Sequence, residues 1–367
     1  MLETTAARID AVRSRREHVD AAAYGTKPEA VMKNWIALLA SVLLLGCAAV
    51  EPAPPAVTEA VFHDVLFVPP AVQPDARELF AVTPAMKRYL ADRIEPRVRR
   101  QGAQRGLLDA LYTQGELRLE YDAARTRTAA EAFDARRGNC LSLVLMTAAF
   151  AREMGLAVRF HEVLGTPVVE RDGELTFVVG HVNLALGESL RDARTSAAHE
   201  QWLVVDFLPG QDLQRQHRRA IDERRIAAMF MNNRAAEELA RGRVDEAYWW
   251  LRGAHAQDPG FANLYNTLGV VYRRHGELAL AEQALQLAQA MDPDNEHVAG
   301  NLASLRQSTL AQHHHRLAVD AATRGDLADA RRHLQQAASF SPDEAQRSRY
   351  AAKLRSLKGG AVSPVLQ

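Results

Sequence analysis

The sequence predicts an α+β domain followed by an all-α repeat solenoid. Three observations carry this expectation. Short alternating apolar runs cluster between residues 157 and 207, a helix that is apolar nearly all round precedes them with Cys140 at its start, and a 34-residue period takes over beyond residue 228. The 367 residues are 47% apolar, enough for two or three domains with ordinary cores. Forty-five basic residues balance 45 acidic ones, so no nucleic-acid partner is expected.

The N-terminal region is read first. Met32–Cys47 reads MKNWIALLASVLLLGC, with a basic residue ahead of a run of apolar and small residues from Trp35 to Gly46. The run falls short of the roughly 20 residues that span a bilayer and matches a signal-peptide core of about 7–15. Its end, Leu44-Leu45-Gly46-Cys47, is similar to the lipobox of bacterial lipoprotein precursors, which implies lipidation of Cys47 and cleavage before it. An uncleaved anchor is the other reading. Residues 32–46 are thus expected to be a lipoprotein signal peptide, and residues 1–31 a start-site artefact upstream of a true start at Met32. Residues 47–59, with the Pro-rich EPAPPAV, are expected to form an extended tether. Ala48 carries no inner-membrane retention signal of the Asp type. The expected location is therefore the cell envelope, lipid-anchored in the outer membrane and facing the periplasm.

Residues 60–225 are expected to form the α+β domain. Short helices with Arg-rich faces run from Pro84 to about Leu111, and Leu117–Tyr121 alternates like a strand. Thr128 and Glu131 have the spacing of a capping box that opens a short helix. Cys140–Met154 reads as a buried helix closed by Gly155. Strand-like segments follow at 157–163, 175–179, 181–186 and 202–207, with a turn at Arg171-Asp172-Gly173.

From residue 228 to 357, Gly242 and Gly276 are 34 apart, as are Ala247 and Ala281, Leu251 and Leu285, Ala254 and Ala288, and Pro259 and Pro293. Tyr265, Leu268, Gly269 and Tyr272 complete a pattern that resembles the tetratricopeptide repeat. Small residues let paired helices approach and proline ends each pair, so stacked pairs bury a continuous core. A third copy, with Gly325, Ala330, Leu334, Ala337 and Pro342, is displaced by 49 residues, and the excess is expected in its first helix or in an extra one.

With Cys47 assigned to lipid, Cys140 is left without a disulfide partner in the chain, which marks it as buried or used. A Cys in the first turn of a helix feels unsatisfied N–H groups and the positive dipole end, which favour the reactive thiolate; burial works against it. His181, Asn183 and Ala185 share one strand face, as do Trp202, Val204 and Asp206. A hairpin register with Ala185 opposite Trp202 sets His181 opposite Asp206, near enough for an imidazole–carboxylate contact. The loop from Gly187 to Gln201 is long enough to overhang the site.

GNCLSLVLMTAAFAREMGL, GHVNLAL and WLVVDF together resemble the transglutaminase-like superfamily of papain-fold cysteine enzymes. The resemblance implies a papain/transglutaminase-like domain with Cys140, His181 and Asp206 as the catalytic residues. His161 competes for the histidine role, but the family places its His later, near the Asp strand. The backbone N–H of Cys140 is a natural oxyanion donor.

No cofactor and no metal are expected. The His313-His314-His315 run points in directions about 100° apart along a helix, so its three side chains do not readily chelate one ion, and they are expected to face solvent. Two functions follow. One is an envelope cysteine peptidase, amidase or transamidase acting on amide bonds of peptide or protein substrates. The other is a catalytically inert binding or assembly lipoprotein that recruits envelope partners through its repeats.

Overall fold

The computed structural model describes residues 59–113, 117, 119–172, 175–189, 202–208, 217–342 and 344–358. The expected signal peptide, the lipidation site Cys47, nearly all of the tether and most of the loop after Gly187 lie outside them. The described residues are mostly helical, with one small antiparallel sheet. No helix among them is long and apolar enough to cross a membrane.

Thr83 caps α1 (Pro84–Tyr89), accepting the Met86 N–H, and Pro84 occupies the first turn where a missing N–H costs nothing. A wide turn, Leu90–Ile94, leads into α2 (Glu95–Gln101), and Gly102 at φ 86° starts α3 (Ala103–Leu108). A Cβ on Gly106 would sit 2.6 Å from the Val98 nitrogen, so glycine is what allows α2 and α3 to touch. The expected strand at 117–121 shrinks to β1 (Glu120–Tyr121), paired in parallel with β2 (Arg137–Gly138). Between them, α4 (Ala129–Ala135) opens with the full capping box of Thr128 and Glu131 and closes on Arg136 in the left-handed region, φ 53°.

Helix α5 (Cys140–Glu153) is buried from Cys140 through Ala151, which accounts for its lack of a polar face. Gly155, at φ 75°, ends it and turns the chain into the sheet. The segments at 157–163, 175–179 and 181–186 merge into two long strands, β3 (Leu156–Asp172) and β4 (Leu175–Ser189); Arg171 and Asp172 of the expected turn belong to β3, and Gly173 lies outside the described residues. The segment at 202–207 is a strand only over β5 (Leu203–Val205). An unanticipated strand, β6 (His217–Ile221), covers the other edge, giving the order β5-β4-β3-β6 with every pair antiparallel. Helix α5 packs against β3 and β4, and Val144, Leu145, Phe150, Phe160, Val182, Leu184 and Leu186 belong to the buried core.

The repeat region begins at Asp222, which caps α6 (Glu223–Ala240). Pairs follow in order: α6 with α7 (Val244–Gln257), α8 (Ala262–His275) with α9 (Leu278–Met291), and α10 (Glu296–Thr323) with α11 (Leu327–Phe340); α12 (Glu344–Lys358) closes the series. Each turn inside a pair contains a glycine at positive φ, Gly242, Gly276 or Gly325, as an αL cap requires. The excess length of the third copy is taken up in α10, which runs unbroken for 28 residues.

Residues 59–68 pack against the repeat helices. Phe67 stacks on Tyr248 at 3.9 Å with an 8° interplanar angle, and Phe62 leans on His255. The Tyr272 hydroxyl donates to the Val61 carbonyl at 2.7 Å and accepts the His63 N–H, while Trp249 Nε1 donates to the Val68 carbonyl. Tyr248 donates its hydroxyl proton to Asp64 at 2.6 Å, and Arg252 pairs with the same carboxylate at 3.1 Å.

Candidate active site

The start of α5 is held by the two residues before it. Asn139 is the N-cap: its Oδ1 accepts the Ser142 N–H at 3.0 Å and the Ser142 hydroxyl at 2.8 Å, and its Nδ2 donates to Thr126 Oγ1 at 2.8 Å. The Ser142 hydroxyl also accepts the Arg127 N–H at 2.7 Å. Gly138 is demanded by space, since a Cβ there would meet the Ser142 Cβ at 2.6 Å. Gly138, Asn139 and Cys140 thus have separate jobs: close approach, cap and thiol. Thr126 is itself fixed by the repeat region, its N–H donating to Glu237 Oε1 of α6 at 2.6 Å.

His181 lies on β4 and Asp206 one residue past β5. His181 Nε2 and Asp206 Oδ2 are 2.8 Å apart, and both side chains are buried. The strand register differs from the expected one. Ala185 pairs with Val204 and Leu184 with Val205, so the next position sets Asn183, and not His181, opposite Asp206. The slip is by two residues, so the faces are unchanged, and His181 meets the carboxylate diagonally. Asn183 Nδ2 donates to the same Oδ2 at 3.3 Å, and the Leu208 N–H donates to Oδ1 at 2.9 Å.

Burial disfavours a charged imidazole, but the hydrogen bond to Asp206, the Cys140 side chain beside the ring and the charge of Asp206 hold His181 at about 9, against an ordinary 6.5. Asp206 takes Nε2. Among the described residues the buried Nδ1 has no hydrogen-bond partner, which leaves it as the ring atom able to exchange a proton with the thiol. Cys140 is 1% exposed and makes no disulfide. The first-turn position supplies backbone N–H groups that an oxyanion can use.

His161 stands outside the Cys–His–Asp group. It pairs with Asn183 across β3 and β4, its Nδ1 lying 3.3 Å from Asn183 Oδ1. Burial, offset in part by that contact, keeps it below the usual imidazole value, and Arg218 and Arg159 push the same way as burial. Sequence reasoning placed Asn183 on the correct face through its i, i+2 spacing from His181 but gave it no role. Thr126 and Glu237 left no local signal at all.

The histidine run differs from its expected exposure. His313 is exposed, but His314 stacks on Phe340 at 8° and meets His333, their Nδ1 atoms 3.2 Å apart, and His315 packs on Tyr350. Helices α11 and α12 cover two of the three directions in which the run points. Among the described residues no group of three His, Cys, Asp or Glu side chains converges as metal ligands would.

No curated protein matches the chain. A family model described as tetratricopeptide repeat matches residues 238–305, the stretch from the end of α6 into α10. Residues 238–305 are therefore tetratricopeptide repeats, whose usual work is binding other proteins.

Proposed function

We propose that this chain is an envelope lipoprotein in which a transglutaminase-like domain, residues 60–225, acts on amide bonds of peptide or protein substrates that the repeats help recruit. The observation that carries the reading is the buried 2.8 Å contact between His181 and Asp206 beside the thiol at the start of α5. In this mechanism Cys140 Sγ, deprotonated by His181, attacks the amide carbon. The tetrahedral oxyanion is held by first-turn N–H groups, and the C–N bond breaks as the imidazolium gives its proton to the leaving amine. The resulting thioester passes its acyl group to water or to an incoming amine, whose proton returns through His181, and the thiol is regenerated.

Comparison of envelope proteomes from cells carrying wild-type or Cys140→Ala protein tests this. Uncut or unlinked substrate should accumulate with the variant; identical proteomes would sink the reading. The lipid assignment rests on Met32–Cys47 and is tested by palmitate labelling, which Cys47→Ala should abolish.

A second reading is favoured by the near-complete burial of Cys140 together with the repeat match: an inert binding or assembly protein. Alkylation of native protein separates the two. A thiol that reacts only after unfolding supports the inert reading, and one that reacts in the folded protein supports catalysis.

A further inference from the structure

We propose that Asn183 is the positioning residue of this site, orienting Asp206 so that the His181 proton stays on Nε2 and Nδ1 faces the thiol as a base. The inference rests on the catalytic reading above and adds to it a residue outside the Cys–His–Asp group. Asn183 is fully buried at the centre of three neighbouring strands. It faces His161 of β3 on one side and Asp206, beyond β5, on the other.

The chemistry of the partners fixes the amide. An ionised carboxylate only accepts, so Asn183 turns its NH2 toward Asp206 Oδ2, 3.3 Å away. Its carbonyl then faces His161 Nδ1 at 3.3 Å, which must carry the proton. The hydrogen bonds therefore run one way, from His161 to Asn183 to Asp206. Asp206 also accepts the Leu208 N–H on its other oxygen. A carboxylate clamped on both oxygens cannot rotate away from His181. An unclamped one lets the ring sample both neutral tautomers, and in one of these Nδ1 carries a proton and is useless as a base.

Nitrogen-15 NMR of histidine-labelled full-length protein reads the tautomer of His181 directly. In the wild type above the His181 midpoint, the remaining proton should sit on Nε2. In Asn183→Leu, similar in size but without a donor, the signals should move to a mixture of tautomers. Alkylation of Cys140 by iodoacetamide at pH 7, where His181 is an imidazolium held by Asp206, should slow by about tenfold as the loosened carboxylate supports that cation less, the scale of one hydrogen bond to a charged group. His161→Gln, which keeps a side-chain donor, should stay near wild type, whereas His161→Leu should fall part of the way.

An unchanged His181 tautomer in folded Asn183→Leu would overturn the proposal whatever the thiol does. If Asn183→Leu fails to fold, the His161 pair decides, and equal behaviour of Gln and Leu at that position would also overturn it. A wild-type thiol inert in the folded state, with the tautomer shift still seen, would instead remove the catalytic reading and leave Asn183 as the residue that orients the buried pair.

Discussion

Asn139 Nδ2 donates to Thr126 Oγ1 at 2.8 Å, so the amide that caps the cysteine helix is itself held by a residue whose backbone N–H is bound by Glu237 of the first repeat helix. The thiol's position is thus linked through two residues to the repeat array. Asn139→Ala should remove the cap, leave the buried Ser142 N–H unpaired and take from the Thr126 hydroxyl the N–H it accepts. A cost of about 2 kcal/mol, the upper end for a lost cap, is expected by chemical denaturation. Asn139→Asp keeps the acceptor but not the donor to Thr126, and should lose less.

The His181–Asp206 pair predicts a pH dependence of stability. His181 is raised from 6.5 to about 9 in the folded chain, so its contribution is full below about pH 6.5 and is lost as pH rises through about 9. Melting temperature should therefore decline between these values. Tyr112, Tyr248, Tyr265 and Tyr272 are all pushed upward from 10 by burial and titrate above this window. In Asp206→Asn the decline should flatten; an unaltered slope would show that His181 is not its source.

Gly269 lies where α8 meets α9, and a Cβ there would come within 2.5 Å of Leu285 Cγ. Gly269→Ala should cost about 1–3 kcal/mol through overpacking. Trimming the neighbour in Gly269→Ala/Leu285→Ala should recover part of the loss caused by the clash. A double-mutant cycle by denaturation reads that coupling, and strict additivity would contradict the close approach.

Phe67→Ala removes the ring stacked on Tyr248 and should release residues 59–68 locally while leaving the global melt nearly unchanged. Limited proteolysis followed by mass spectrometry should show new cleavage within 59–68. Tyr248→Phe, which keeps the stacked ring and loses the hydroxyl that bonds Asp64, should have a smaller effect in the same direction.

Much of this architecture was legible from spacing. The 34-residue recurrence of Gly, Ala, Leu and Pro located the repeat helices because each residue answers a local demand: positive φ at Gly242 and Gly276, close packing at Ala247 and Ala281. The Thr128–Glu131 box and the Gly155 stop were equally local. The pairing of His181 with Asp206 was readable only to within two residues. Alternation fixes which face a strand buries, and a slip of two leaves every face unchanged. β6 escaped notice because His217-Arg218-Arg219 is a charged, exposed edge with no apolar alternation. Asn183, Thr126 and Glu237 act through partners distant in sequence, so nothing in their own neighbourhood announces them.

The docking of residues 59–68 also sets an order of events. Asp64 and Tyr248, joined by a hydrogen bond, are 184 positions apart, and Val61 and Tyr272 are 211 apart. During synthesis the segment leaves the ribosome long before the surface it stacks on, and closing so long a loop is entropically slow. Phe62 and Phe67 therefore wait unpaired until the first repeat pair supplies His255 and Tyr248, and Val61 waits for Tyr272 of the second. Completion of the fold at its N-terminal end is thus a report that the distant repeats are already in place.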